Sequence, residues 1–345
     1  MKVKLVHINT KEELEFNIRL FNDKDVNEVI QCIRAEYGDT YFKKQFYNPE
    51  YLIKMNNENA ISLIVAETKN GDIAGIIVLK SFFPGDTMCE LATEIFKKEY
   101  RGYRLSEKMI QYGMKIIEER CYSAIYALPV TFHCISQRLL KRNGLIATGF
   151  IFSVFISSKI ESSYEYGKCL KHSQGIQIKP LEKTSVGTLF VDNELIDITK
   201  KIYEKLNVEY YIGDKEVAKS SYKSKTMLFH NNNDNHRNCA ITIIKAGNDI
   251  LEKVDEIVEK YRKNKLQTFN VFLNINDKNA ISAYKKLKDR GFFFTGFKAL
   301  CNRDEYMVMH FNNSLDLCTE DYILTDEFKS LLEDIKPFIN NNWEV

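Results

Sequence analysis

The stretch Met88 to Ser106 reads M-C-E-L-A-T-E-I-F-K-K-E-Y-R-G-Y-R-L-S, and it divides into three parts. Met88 to Phe96 has the composition of a strand, Lys97 to Arg104 is a basic turn around Gly102, and Leu105, Met109, Tyr112 and Ile116 then recur at helical spacing. A strand therefore runs through a basic glycine turn straight into a helix. The amides that begin a helix have no intrahelical acceptor, so at such a turn successive N–H groups and the positive end of the helix dipole converge on an anion such as a pyrophosphate. Glycine lets that anion come close.

Working outward, Asn17 to Phe21 predicts a strand, and Asp23 caps a helix that carries Val26, Val29, Ile30 and Ile33. An aromatic-rich connection, Tyr37 to Tyr47, leads to a second helix with Asn48 as cap and Pro49 in its first turn. Ile61 to Thr68 and Ile73 to Phe82 are β-branched runs joined by Lys69-Asn70-Gly71-Asp72, which predicts an antiparallel hairpin. Downstream, Tyr122 to Leu128 is a strand, Ser136 to Arg142 a helix closed by Asn143-Gly144, and Ile146 to Ile156 a long strand. The order β-α-α-β-β-β-α-β-α-β predicts an α+β fold: a mixed, mostly antiparallel sheet with helices on both faces.

Ser157 to Gly175 is polar and aperiodic, which places a seam near residue 175. Beyond it a second α/β domain is expected. Its strands are Ile176 to Ile178, Thr226 to His230, Cys239 to Lys245, Phe269 to Leu273, Phe293 to Ala299 and Tyr306 to Phe311. Its helices are Glu194 to Leu206, Ile250 to Tyr261, Ala280 to Asp289 and Glu327 to Ile339. Asn276 to Phe297 echoes Ser136 to Phe150: helix, glycine, apolar strand, Thr-Gly-Phe. The echo is either an internal repeat or the common look of a helix-to-strand turn.

A formal net charge of +2 with intermixed Lys, Arg, Asp and Glu names no nucleic-acid or membrane partner. No run approaches the roughly 18 to 20 apolar residues of a spanning helix. The eight cysteines form no CxxC pair, and Met-Lys-Val-Lys at the N-terminus is not a signal peptide, so reduced thiols and a cytoplasmic location are expected. The six histidines show no metal-ligand spacing, and no metal is indicated. His230 and His236 flank Asn-Asn-Asn-Asp-Asn, which reads as a polar hairpin loop.

Lys97 to Ser106, preceded by its strand and followed by its helix, resembles the phosphate loop of the GNAT N-acetyltransferase superfamily, Q/R-x-x-G-x-G/A. Arg101 falls at the first position and Ser106 at the final small residue, whereas Arg104 stands where the family has glycine. Arg104 either crowds the phosphate or pairs with it. The Asn-Gly hairpin and Gly75 in its second strand match the family layout. The resemblance covers Glu15 to Ser157 and implies a GNAT acyl-CoA-binding catalytic domain over residues 1–160. Residues 176–345 resemble a degenerate GNAT-like domain, as in two-part bacterial members.

The resemblance implies acetyl-CoA or another acyl-CoA as cofactor, held by Ile95, Phe96, Arg101, Gly102, Tyr103, Arg104, Leu105, Ser106 and Ser136. A β-bulge in the strand ending at Phe96 would free backbone amides for the thioester carbonyl. Glu90 resembles the carboxylate that deprotonates the acceptor amine; otherwise it is a surface glutamate. Val130 to Leu145 resembles the next family landmark, with Leu140 at the position of the usual tyrosine acid. His133 then serves as acid or hydrogen-bonds a backbone carbonyl, and Cys134 is an acyl carrier or a packed thiol. In the second half the matching turn, Ala246-Gly247-Asn248-Asp249, has no basic glycine pattern; Asn248 or Asp249 suits a helix cap, and one cofactor site is expected. The function implied is N-acyl transfer to an amine of a small molecule or peptide. The alternatives are a non-catalytic acyl-CoA- or peptide-binding module and a transferase of longer acyl chains; a homodimer is left open.

Overall fold

The computed structural model describes residues 1–81, 87–161, 167–214, 225–301, 304–313 and 317–339. Phe82, read as the end of a hairpin strand, and residues 162–166 of the polar linker lie outside the described residues. The chain forms two compact units, residues 1–127 with 158–165 and residues 128–157 with 166–345. The boundary between them thus precedes the helix and strand that the sequence places before the seam near residue 175.

In the first unit six strands lie in chain order: β1 (Lys2–Val6), β2 (Glu13–Leu20), β3 (Ile61–Thr68), β4 (Ile73–Lys80), β5 (Met88–Phe96) and β6 (Ala124–Ala127). Every pairing is antiparallel except β5 with β6. β1, which the sequence reading passed over, alternates exposed Lys2, Lys4 and Val6 with half-buried Val3 and Leu5. Three helices cover the sheet, α1 (Val26–Tyr37), α2 (Pro49–Asn57) and α3 (Leu105–Glu119). Asn22 and Asp25 form a capping box just before α1, and Asn48 caps α2 by accepting from the Glu50 and Tyr51 amides.

Strand alternation distributes the core between two layers. Leu63, Val65, Ile76 and Val78 pack with Val29, Ile30 and Ile33 of α1 and Leu52 of α2, while Gly113 of α3 lies against Ile64 and Leu79. Both faces of β3 and β4 are therefore covered, which is why these strands read as unbroken apolar runs. The hairpin between them turns at Gly71 with φ 84°, closed by the Thr68 amide donating to the Asp72 carbonyl at 2.9 Å.

The second unit contains, in chain order, α4 (Ile135–Arg142), β7 (Ile146–Ile156), β8 (Lys171–Pro180), β9 (Ser185–Leu189), α5 (Ile196–Leu206), β10 (Glu209–Ile212), β11 (Met227–Asn233), β12 (Asn238–Lys245), α6 (Ile250–Tyr261), β13 (Thr268–Asn274), α7 (Ala280–Asp289), β14 (Phe293–Cys301), β15 (Asp304–Asn312) and α8 (Asp326–Ile335). Its main strands run β8-β7-β14-β15-β13-β12-β11, and β9 pairs with β10 apart from them. β8 begins inside the stretch that the sequence reads as linker. Its Lys171, His172 and Ser173 are buried polar residues and broke the apolar pattern.

The Thr-Gly-Phe echo has a geometric counterpart. α4 and α7 both end on a glycine, Gly144 at φ 85° and Gly291 at φ 91°, with matching closures: Leu145 N–H to Leu140 at 3.1 Å and Phe292 N–H to Leu287 at 3.1 Å. The strands that follow meet at one antiparallel pair, Gly149 with Gly296. There the Thr148 hydroxyl donates to the Phe297 carbonyl at 2.8 Å, and the Thr295 hydroxyl donates to the Phe150 carbonyl at 2.8 Å. The contact is reciprocal, as a twofold relation between repeats requires.

Cys169 and Cys318 are joined in a disulfide, which corrects the expectation that all thiols are reduced. Among the described residues no helix is long and apolar enough to cross a membrane.

Candidate active site

The turn that decides the fold is built as a strand running into a helix. Lys97 donates to the Asp72 carboxylate, and the Tyr100 hydroxyl reaches it at 2.7 Å, which ties the start of the turn to the hairpin. Arg101 points inward: its guanidinium donates to the Phe96 carbonyl at 3.2 and 3.0 Å and pairs with buried Glu36 at the end of α1. Tyr103 is buried, its hydroxyl donating to Glu12 at 2.8 Å, and Leu105 joins the core. Of these residues only the main chain is left to meet a ligand.

That main chain carries a row of open donors. The amides of Gly102, Tyr103 and Arg104 have no acceptor among the described residues, and α3 begins at Leu105 without a side-chain cap. Arg104 has φ 55° and ψ 30°, the left-handed conformation that glycine adopts freely. Arg104 thus holds a conformation in which glycine would be unstrained, and its exposed side chain stays outside the core. Gly102, at φ 87°, has His7 against it: an added Cβ would meet His7 Nε2 at 2.3 Å. His7 is held by its own loop, whose Asn9 and Thr10 amides donate to Nδ1 at 3.3 and 3.0 Å. One side of Gly102 is therefore occupied by the His7 imidazole.

β5 carries the expected bulge. Ile76 pairs with Ile95 and Val78 with Ala92, so Thr93 and Glu94 together face Ile77, and Thr93 takes φ 52°. The parallel pairing with β6 covers only Met88 to Glu90 against Ala124 to Tyr126. Ile95 is buried, and the Phe96 ring fills the space over Gly75, where a Cβ would meet it at 2.2 Å.

Two carboxyls of β5 differ in surroundings. Glu90 accepts from the buried Tyr126 hydroxyl at 3.1 Å and has Lys43 Nζ at 3.9 Å and Lys80 Nζ at 4.0 Å. Glu94, which the sequence reading passed over, is half-buried with no polar partner among the described residues, and burial pushes its carboxyl up to about 7. Only the bulge distinguishes it, and a bulge leaves no mark in residue spacing.

His133, Cys134 and Ser136 belong to the second unit, at the start of α4. The His133 carbonyl accepts from Gln137 at 3.0 Å and its ring meets Phe132 edge-on. Cys134 is a buried free thiol at the N-cap, and Ser136 Oγ is buried without a hydrogen-bond partner among the described residues. Leu140 is buried in the same helix.

The turn after β12 is already satisfied from within. Ala246 N–H donates to the Asp277 carboxylate at 2.6 Å, and Gly247 N–H to Thr226 Oγ1 at 3.0 Å. Asp249 stands at the cap position of α6, but its carboxylate accepts from the Thr226 amide at 2.7 Å rather than from the helix. A protein carboxylate takes the place in which an external anion would sit.

No protein-family model matches the chain, and no curated protein matches it. Among solved structures, an N-acetyltransferase from Staphylococcus aureus Mu50 is 15% identical, with 48% of this chain and 99% of that one covered at a TM-score of 0.39. A ribosomal-protein-alanine N-acetyltransferase from Brucella melitensis is 16% identical, with 48% and 99% covered at 0.38. A spermidine/spermine N-acetyltransferase from Vibrio cholerae is 14% identical, with 48% and 94% covered at 0.38.

Proposed function

We propose that the chain is an acyl-CoA-dependent N-acyltransferase, with acetyl-CoA the first donor to test and residues 1–160 the catalytic domain. What supports the reading is internal to the chain. The row of open amides from Gly102 into α3 can bind a diphosphate, and it continues a strand that is bulged at Thr93. The donor would supply the thioester, and the protein's part is to align it and to move a proton. Amides beside the bulge would hold the carbonyl oxygen. A protonated amine is no nucleophile, so a base must take its proton as nitrogen attacks the carbonyl carbon and the carbon–sulfur bond breaks. We assign that base to Glu94, which has no polar partner among the described residues, and give Glu90 to acceptor binding. The second unit, which carries His133, Cys134 and Ser136, is proposed to hold no further cofactor because Asp277 fills its turn.

Calorimetric titration with acetyl-CoA, a long-chain acyl-CoA and free CoA tests the reading. Binding of at least one thioester with micromolar affinity, lost in Gly102→Val, is expected. The Gly102→Val variant also displaces His7, so a His7→Ala control that still binds separates the two effects. No heat with any of the three ligands would remove the assignment. A second reading, a binding module without turnover, is favoured by buried Leu140 where the family's acid stands; binding without acyl transfer to any amine would select it.

A further inference from the structure

The hydroxyl of Thr93, in the β5 bulge, receives two hydrogen bonds. The Tyr41 hydroxyl donates to its Oγ1 at 2.9 Å and the Lys43 ammonium at 3.2 Å. A hydroxyl has two lone pairs and one proton, and here donors take both lone pairs. The Thr93 proton therefore points elsewhere, and it has no acceptor among the described residues. The residue is half-buried rather than enclosed. Both donors are fixed in place. Tyr41 is buried, which keeps its phenol protonated well above neutral pH. Lys43 comes from the same connection between α1 and α2; its ammonium lies 5.5 Å from the Phe42 ring, 5.8 Å from the Phe46 ring and 3.9 Å from Glu90 Oε1. A phenol and a cation donating to one oxygen draw electron density from it, so the Thr93 O–H is a stronger donor than a free threonine hydroxyl.

The backbone is a second observation. Thr93 holds φ 52°, a left-handed conformation that a β-branched residue avoids and that glycine would hold without strain. Strain of this kind gathers at residues whose chemistry is used. Thr93 and Glu94 together form the bulge, so the donor adjoins the carboxyl assigned as base.

We propose that the Thr93 hydroxyl donates to the thioester carbonyl oxygen of the acyl donor, with Lys43 and Tyr41 as the positioning residues that strengthen it. As the amine nitrogen attacks the carbonyl carbon, the π pair of the carbonyl moves onto oxygen and meets an O–H already aligned to receive it. The amine proton goes to Glu94. When the tetrahedral intermediate collapses, the pair returns, the carbon–sulfur bond breaks and the thiolate leaves; Thr93 keeps its proton throughout. This inference rests on the transferase reading and deepens it.

The test uses the full chain and acetyl-CoA with an isotope-labelled carbonyl carbon, and reads the carbonyl stretch of the bound thioester by difference infrared spectroscopy. A hydrogen bond lowers that frequency, so the band should move to higher wavenumber in Thr93→Val and return in Thr93→Ser, with acetyl-CoA affinity falling by no more than about tenfold in the valine variant. Lys43→Gln should move the band the same way by a smaller amount, and serves should Thr93→Val not fold; added to Thr93→Val it should move the band no further. For whichever of phenethylamine, phenylalaninamide and spermidine the parent acetylates, kcat should fall roughly 100-fold in Thr93→Val and recover in Thr93→Ser. Coincident bands in the parent and Thr93→Val, or an unchanged kcat, overturn the proposal while leaving the transferase reading in place. A Lys43→Gln shift of equal size with and without the Thr93 hydroxyl overturns the positioning role of Lys43. Failure of acetyl-CoA to bind the unmodified protein overturns both the proposal and the reading beneath it.

Discussion

Burial raises two carboxyls well above the ordinary range, and their partners separate their roles. Glu94 reaches about 7 with no polar partner among the described residues, while Glu305 of β15 reaches about 8, its carboxyl accepting from the Leu300 amide at 2.7 Å and meeting the Tyr203 hydroxyl at 2.6 Å. With ionised Glu94 as the proposed base, kcat/KM should rise as pH passes about 7. Glu94→Gln should flatten that limb and lower turnover roughly 100-fold. An unchanged pH profile in the variant would remove Glu94 from the chemistry. Glu305 acts on stability instead. The folded protein keeps this proton up to about 8, whereas the unfolded chain releases it near about 4.3, so unfolding sheds a proton between those values. Its contribution is complete below the lower value and declines as pH rises through the window. Melting temperatures of Glu305→Gln across pH 5 to 9 should therefore fall less towards the alkaline end than those of the parent; parallel curves would contradict the assignment. Neither residue was legible in the sequence, because a glutamate in a strand shows nothing of its partners. Glu90 was found only through the family resemblance, and its two lysines come from the α1–α2 connection and β4, far apart along the chain.

At the level of elements, the strongest steric constraint is the crossing of β7 and β14. A Cβ added at Gly296 would lie 2.2 Å from Gly149 Cα and 2.5 Å from the Thr148 carbonyl oxygen, both main-chain atoms that cannot rotate aside. The residue also holds φ 125°, which L side chains avoid. Gly296→Ala should cost about 3 kcal/mol or more, read as a lower urea midpoint, and Gly149→Ala, with its nearest contacts at 3.0 Å, should cost less. Equal midpoints for Gly296→Ala and the parent would show that the strands can part without penalty. Here the sequence was informative: the paired Thr-Gly-Phe triplets mark the crossing, and a glycine closes the helix before each of them. The hairpin at Asn70-Gly71 and the strand-turn-helix at Gly102 were legible for the same reason, since glycine at positive φ is a local signal. β9, β10 and the first half of β8 were not, although Ile176 to Ile178 in its second half reads as a strand. β8 buries Lys171 and Ser173 on hydrogen bonds to distant main chain, Lys171 Nζ donating to the Arg237 carbonyl at 2.9 Å and Ser173 Oγ accepting from the Ser153 amide at 2.9 Å, and no local pattern records a partner 66 positions away.

At the scale of the second unit, a covalent link joins two positions far apart in the sequence. Cys169 precedes β8 and Cys318 precedes α8, 149 positions apart, so the bond closes a loop of most of the unit. In the chain-entropy account a loop of that length takes about 5 kcal/mol of freedom from the unfolded state, an upper value where native strain intervenes. The segment beyond Cys318 is anchored without the bond as well. The Ile323 amide donates to the Thr131 carbonyl at 2.7 Å, Gln137 Oε1 accepts from the Thr325 amide at 3.0 Å, Glu327 accepts from the Ala147 amide at 2.9 Å, and Phe328 packs on Phe150. Reduction should therefore loosen the unfolded chain more than the folded one. The expected result is a melting temperature lowered by on the order of 10 °C in dithiothreitol, with helical circular dichroism at 25 °C retained. Cys318→Ser should reproduce the reduced value and be insensitive to the reductant. A parent protein that melts at the same temperature oxidised and reduced would show that the link adds nothing. Loss of helical signal on reduction at 25 °C would show instead that the anchors around Gln137 cannot hold α8 alone.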